Sequence, residues 1–228
     1  ALALPGVIAV ITAEELKPLG LHWMPTLAGD VQAVLADGRV SFQNQEIAFV
    51  VAENRYITDD AIQLIEVEYE ELPVLVDPFR SLDPDAPVLR PDLEGKTVGA
   101  HGPRKHHNHI FEWTIGDRAA TDEAFNTAEV TIKEMISYHR THPSPLETCQ
   151  ALASFDKIKG ELTVYGTFQA PHVIRTVASL LSKIPEHKIH VIAPDIGGGF
   201  GNKVGAYAGY ICAIVASIVT GLPVKWVE

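Results

Sequence analysis

The chain has 228 residues, enough for one large domain or two small ones, and its 46% hydrophobic and 21% charged content is ordinary for a globular protein. A net charge of −11 argues against nucleic acid as a partner, because its phosphates would be repelled, and against anionic membrane surfaces. The two cysteines, Cys149 and Cys212, lie far apart without CxxC spacing, so no disulfide framework is expected and a reducing compartment is the default.

The start, ALALPGVIAVITAEEL, lacks a basic region and a small-residue cleavage pattern, so it does not read as a signal peptide. The longest apolar stretch, Ala206–Val219, falls short of the roughly 20 residues of a membrane span and suits a buried helix. The lack of an initiator Met, and a final VKWVE that reads as an interrupted strand, suggest part of a longer chain.

Ala3–Ile11 reads as a Pro-Gly turn into a short strand, and Thr12 with Glu15 forms a capping box for a helix over Ala13–Leu16. Val31–Leu35 and Val40–Phe42 flank Asp37-Gly38, a hairpin signal. Glu46–Ala52 reads as a buried strand, and Arg55–Tyr69 as a helix running into a strand, with Asp59 and Asp60 in its first turn. The alternation of EVEYEELPVL predicts a strand with Glu66, Glu68, Glu70 and Glu71 on a solvated face. Asp77–Gly102 is rich in Pro and Gly and reads as a boundary between domains.

His101, His106, His107 and His109 form the densest histidine cluster. A zinc site is disfavoured there: adjacent His106 and His107 point to opposite faces of a strand, and Arg104 and Lys105 would repel a cation. A polar loop with hydrogen-bonded imidazoles is the plainer reading. A short helix is expected over Asp122–Ala128, with Phe125 on its buried side, then a strand over Val130–Tyr138. A nucleophilic pair of Cys149 with His142 lacks an activating cation and a third orienting group. Leu152–Phe155 and Glu161–Tyr165 read as paired strands across Lys159-Gly160.

Two stretches carry chemistry. In the first, a strand ends at Phe168, Gln169 sits at its carboxyl end, and Pro171 opens a helix through Leu181. A neutral amide there can both donate and accept without adding charge. In the second, Lys188–Ile192 reads as a strand, followed by Gly197, Gly198, Gly199, Phe200 and Gly201, then an apolar run to Thr220. The reading is strand, glycine turn, helix, with bare N–H groups and a helix N-terminus favouring an anionic or electron-rich ligand. Asn202 and Val204 stand where a dinucleotide fingerprint needs glycine. Val204 also replaces the Ser or Thr of a P-loop, so neither motif is present. Two strand ends would place Gln169 and the glycine turn on one rim.

TFQAPH, followed about 30 residues later by DIGGGFGNK, resembles the large, molybdenum-binding subunit of the xanthine oxidase family. Within it, MPTLAGDVQAVL, FQNQE, KHHNHIF, YHRTHPSPLETCQ and FQAPHVIRT resemble the large subunit of the aerobic molybdenum–copper carbon monoxide dehydrogenases. The resemblance covers essentially the whole chain but only an N-terminal part of such a subunit. It implies a mixed α+β, α/β fold: an α/β hammerhead domain over residues 1–78, a linker over 79–100, and over 101–228 the first part of a molybdopterin-cofactor-binding domain.

The resemblance further implies oxidation of CO with water to CO₂ at molybdopterin cytosine dinucleotide, with copper bridged to molybdenum by sulfur. By motif match, Gln169 is similar to the glutamine beside the molybdenum's oxygen ligand. Gly198, Gly199, Phe200 and Gly201 are similar to the loop that contacts the metal–pterin centre. Gln169 and Phe200 are the expected catalytic positions. No residue of this chain is expected to ligate metal: the copper-bearing cysteine loop and a glutamate base lie beyond it, and Cys149 and Cys212 do not match that loop. Implied partners are an iron–sulfur small subunit with [2Fe-2S] clusters, a medium subunit with FAD, and the rest of the large subunit, in a dimer of heterotrimers. The implied location is the cytoplasm, or the inner face of the cell membrane. Two other readings compete: a molybdenum hydroxylase for an aldehyde or N-heterocycle, and a non-catalytic module binding partner subunits.

Overall fold

A computed structural model of the chain describes residues 1–26, 31–93, 105–110 and 112–228. His101, Arg104 and Phe111, and the stretch 94–100 of the expected linker, lie outside the described residues.

The first part builds two small antiparallel pairs. Strand β1 (Val7–Ile11) is followed by helix α1 (Ala13–Leu16), whose capping box is formed as expected: the Thr12 side chain accepts from the first turn, and the Glu15 carboxylate accepts from the Thr12 N–H at 2.7 Å. Strands β2 (Trp23–Pro25) and β3 (Val31–Ala33) pair with each other, and β4 (Phe49–Ala52) pairs with β1. The expected hairpin around Asp37-Gly38 is not formed. Residues 40–42 are not a strand; the Ser41 N–H instead donates to the Gln45 side chain at 2.7 Å, closing a local turn. Strand β4 begins only at Phe49 and is half-buried.

Helix α2 (Arg55–Gln63) is capped by Asn54, which accepts from the Ile57 N–H at 3.1 Å. This cap places Asp59 beyond the first turn, where it pairs with Arg55 across an exposed i,i+4 step. Residues 64–77 form no strand, and Val67, Tyr69, Val74 and Val76 are exposed along with the glutamates. Alternation marks a segment able to join a sheet; a ladder also needs a neighbour, and among the described residues none runs beside this one. Val130–Tyr138 departs from expectation for the same reason. Helix α3 (Arg118–Thr127) starts earlier than expected because Asp117 caps it, and Phe125 is 62% exposed rather than buried.

The second part is one four-stranded sheet in the order β7-β6-β5-β8. Strands β5 (Gln150–Asp156) and β6 (Glu161–Gly166) form the expected hairpin. Its turn is held by Asp156, whose carboxylate accepts from the N–H groups of Ile158 and Lys159 at 2.9 and 3.1 Å, and by Gly160 at φ 66°. From β6 the chain crosses through helix α4 (Pro171–Ser182) to β7 (Ile189–Ile192), which runs parallel to β6. Helix α4 buries Ile174, Val177, Ala178 and Leu181, the i, i+3, i+4, i+7 stripe of an amphipathic helix. Helix α5 (Ala208–Thr220) is buried on every side from Ala208 to Ser217 and packs on β5 and on strand β8 (Val224–Val227). No helix among the described residues is long and apolar enough to cross a membrane.

One continuous apolar core joins the two parts: Leu16, Leu21, Met24, Val34 and Leu35 from the first meet Leu162, Ile174, Leu181, Ile211 and Ile214 from the second.

Candidate functional site

Because β6 and β7 run parallel, their carboxyl ends open on the same rim of the sheet. Gln169 follows β6 and the glycine loop follows β7. The chain before Gln169 is fixed by Phe168, which is 2% exposed. Its ring folds back over Gly166 and meets Tyr210 edge-to-face at 4.9 Å. Thr167 ties the same segment to β5, donating its N–H to the Gln150 carbonyl at 3.1 Å and accepting the Gln150 N–H on its hydroxyl at 3.1 Å.

The structure brings Gln169 and Gly199 into contact. The Gln169 N–H donates to the Lys203 carbonyl at 2.9 Å, and the Lys203 N–H donates to the Gln169 side-chain oxygen at 3.0 Å. The second bond fixes which end of the amide is oxygen, so the Nε2 donors are left without a protein acceptor among the described residues. In the loop, Gly198 takes φ 88°, Phe200 φ 52° and Gly201 φ 85°. The Asn202 N–H closes back on the Gly199 carbonyl at 2.8 Å. Among the described residues the N–H groups of Gly199, Phe200 and Gly201 have no protein acceptor. Successive free amides in such a turn form a concave nest for an anion or an oxygen-rich group. Phe200 is 73% exposed, and its ring lies over Gly198.

Two residues that sequence reasoning passed over hold this loop in place. Glu147 accepts the Gly197 N–H at 2.7 Å and the Lys203 Nζ at 2.7 Å on the same oxygen. The Lys203 side chain is fully buried. The bond from Lys203, and then that from Gly197, hold the Glu147 carboxyl below the usual carboxylate range. A signal was present: Lys203 is the only charged residue between Asp195 and Lys225, and an isolated charge in an apolar run has to find a partner. The helix-terminus reading is corrected: α5 begins at Ala208, so its first turn lies past the glycine loop.

His106 and His107 bond to the main chain. The Nε2 atoms of His106 and His107 face the Asp83 and Ala86 carbonyls at 3.1 and 2.8 Å, and His106 Nδ1 accepts the Asn108 N–H at 3.2 Å. Both nitrogens of His106 and the Nε2 of His107 are thereby spent on the main chain. No metal-holding group of three His, Cys, Asp or Glu occurs among the described residues. Cys149 is buried, and burial pushes its thiol up; burial pushes Cys212 up to about 12. A cavity of about 730 Å³ lies between β2, α4 and residues 205–208, lined by Met24, Phe42, His172, Val177, Leu180 and Tyr207 among others. None of Gln169 or Gly198–Gly201 lines it.

Comparison with known families gives the family of the chain. The profile described as "Molybdopterin cofactor-binding domain" matches residues 101–228, which include both Gln169 and the glycine loop. The chain belongs to the molybdopterin cofactor-binding domain family. A second profile, "Aldehyde oxidase and xanthine dehydrogenase, a/b hammerhead domain", matches residues 1–73. The fold is therefore a hammerhead domain with part of a molybdopterin cofactor-binding domain. The chain is 74% identical to the carbon monoxide dehydrogenase large chain of Afipia carboxidovorans over 226 residues, 99% of this chain and 28% of that one. It is 68% identical to the large chain of Hydrogenophaga pseudoflava, over 100% of this chain and 28% of that one. It superposes on a solved structure of reconstituted CO dehydrogenase from Oligotropha carboxidovorans with a TM-score of 0.92 and 73% identity, covering 99% of this chain and 28% of that one. The chain thus spans about 28% of the length of the curated relatives it matches.

Proposed function

We propose that this chain forms one wall of the molybdenum-cofactor site of a carbon monoxide dehydrogenase large subunit. The reaction is CO plus water giving CO₂, two protons and two electrons. The observation that carries the reading is the run of free N–H groups at Gly199, Phe200 and Gly201 set against the Gln169 amide, in a chain so similar to known large chains. The fit to the cofactor rests on that donor set: amide dipoles without formal charge, suited to an electron-rich oxygen or sulfur group. When bound, molybdopterin cytosine dinucleotide with Cu(I) supplies the redox chemistry, the copper held by a cysteine outside this chain.

The chain's own residues bind and orient. Gln169 offers its Nε2 donors at a fixed height, because its oxygen is held by the Lys203 N–H. Gly199 and Gly201 expose backbone donors that side chains would cover. Gly198 turns the chain, and the exposed Phe200 ring gives an apolar wall that limits water. Donors held in place before reaction stabilise charge developing on oxygen without reorganising. Gln169 and Phe200 are assigned the roles at the reacting centre, and Gly198, Gly199 and Gly201 the cofactor contact.

The same reading divides the chain into a hammerhead domain over 1–78, a linker over 79–100 and the cofactor-binding part over 101–228. It assigns an iron–sulfur small subunit and an FAD-binding medium subunit as partners in a cytoplasmic dimer of heterotrimers. Metal analysis and a Gln169→Ala variant of the complete complex test it. The expected result is molybdenum in the unmodified complex and a loss of CO oxidation of about 100-fold in the variant. A complex without molybdenum, or a variant with unchanged CO oxidation, refutes the assignment.

A further inference from the structure

Resting on that reading, we propose that Glu147 and Lys203 are positioning residues, which set the height of the Gln169 amide and the shape of the 197–203 loop through one shared carboxylate oxygen. Lys203 has two jobs in the geometry. Its main chain is bonded to Gln169 in both directions, N–H to side-chain oxygen and carbonyl from N–H, at 3.0 and 2.9 Å. Its side chain reaches Glu147 at 2.7 Å, and the same Glu147 oxygen takes the Gly197 N–H at 2.7 Å. The first and last residues of the loop are thereby tied to a single atom. Gln169 is bonded to the last of them.

A packing role alone does not account for this choice of residues. The lysine is buried and the glutamate only partly so, and an ion pair that desolvates a charge is commonly no more stabilising than apolar side chains of the same volume. Methionine and leucine would fill the space without the cost of desolvating an ammonium group. What the pair adds is direction: two donors from two parts of the loop converge on one acceptor, and this defines where the loop stands. Loss of the Glu147 acceptor frees both loop ends, and loss of the lysine frees the Lys203 end and with it the amide of Gln169. A displacement of about 1 Å at a reacting centre is enough for a 100-fold loss.

The test uses the complete enzyme complex carrying Lys203→Met, Glu147→Gln or Gln169→Ala. Three quantities are measured: molybdenum per large subunit, the electron paramagnetic resonance spectrum of the reduced metal, and kcat separately from KM for CO. Lys203→Met is expected to keep its molybdenum and to shift the spectrum in the same direction as Gln169→Ala. Its kcat should fall by about 10- to 100-fold, with KM changed less. Glu147→Gln keeps an acceptor oxygen for both donors but loses the charge, and should fall between Lys203→Met and the unmodified enzyme.

If Gln169→Ala shifts the spectrum and Lys203→Met does not, the positioning role is wrong while the site assignment stands. If Gln169→Ala also leaves the spectrum and kcat unchanged, the site assignment itself fails. Should Lys203→Met fail to assemble, Glu147→Gln decides. An assembled Glu147→Gln complex with unaltered spectrum and kcat overturns the proposal, and so does failure of both variants to assemble, which would make the pair a structural necessity only.

Discussion

Gly199 lies against the carboxamide of Gln169 so closely that a β-carbon on residue 199 would come within 2.3 Å of the amide carbon and 2.6 Å of its oxygen. No real side chain tolerates that approach, so Gly199→Ala must push Gln169 out of place. The expected outcome in the complete complex is a loss of CO oxidation of about 100-fold with the protein still folded. Adding Gln169→Ala to Gly199→Ala should cost little more, since the amide is already displaced. Steady-state rates of the two single variants and the double variant check this. Near-full activity of Gly199→Ala would contradict it.

Acid should weaken the loop through Glu147. Its carboxyl is held below the ordinary value of 4.5 in the folded chain, first by the Lys203 hydrogen bond and then by the Gly197 N–H. Between the two values the unfolded chain binds more protons than the folded one. The contribution is therefore complete above about 4.5 and is lost as pH falls through the lower, folded value. Glu147→Gln should flatten the acid side of a stability-against-pH profile and leave its slope near neutrality alone. Denaturant midpoints across the acid range measure it; parallel acid limbs would show the pair carries no linkage.

Gly209→Ala should destabilise the second part of the chain. A β-carbon there would lie 2.2 Å from the indole of Trp226, which packs edge-to-face on Tyr210 at 5.6 Å. Overpacking of this kind costs about 1–3 kcal/mol. A lowered unfolding midpoint with an unchanged reduced-metal spectrum in the surviving enzyme is the expected pattern.

Replacing His106 or His107 by alanine should loosen the segment around Asp83–Ala86, whose carbonyls their rings hold. Limited proteolysis should cut there faster in the variants. Chelators should leave the unmodified protein's cutting pattern as it is, because the hydrogen bonds to the Asp83 and Ala86 carbonyls hold the segment without a metal. Protection that disappears on chelation would revive a metal site at these histidines.

The second part of the chain was legible because its signals are local. Asp156 and Gly160 write the β5–β6 turn, Pro171 opens α4, and the β-branched residues of β7 follow a helix that ends at Lys183 in a left-handed conformation. A parallel pair then puts Gln169 and the glycine loop on one rim by topology alone. Position within the loop was harder. Glu147 and Lys203 are far apart in sequence, and no spacing rule joins them. Only the isolation of Lys203 in an apolar run hinted at a partner. The expected strands at 66–76 and 130–138 show the opposite limit. Val67, Tyr69, Ile132 and Ile136 alternate as strand residues do, but all are exposed, and alternation does not name the neighbour that would complete a sheet. Phe125 misled for a related reason, since an aromatic on a short helix turns inward only if something lies beneath it.

The Glu147–Lys203 pair cancels its own charge, and Gln169, the glycines and Phe200 have none. A group resting on this floor would therefore meet, from this chain, aligned bond dipoles and not a free ion. Attraction of that sort acts at touching distance, inside the Debye length, where dissolved electrolyte does little to weaken it. The grip of the loop should accordingly stay constant across ionic strengths that would loosen a lysine-lined phosphate cradle.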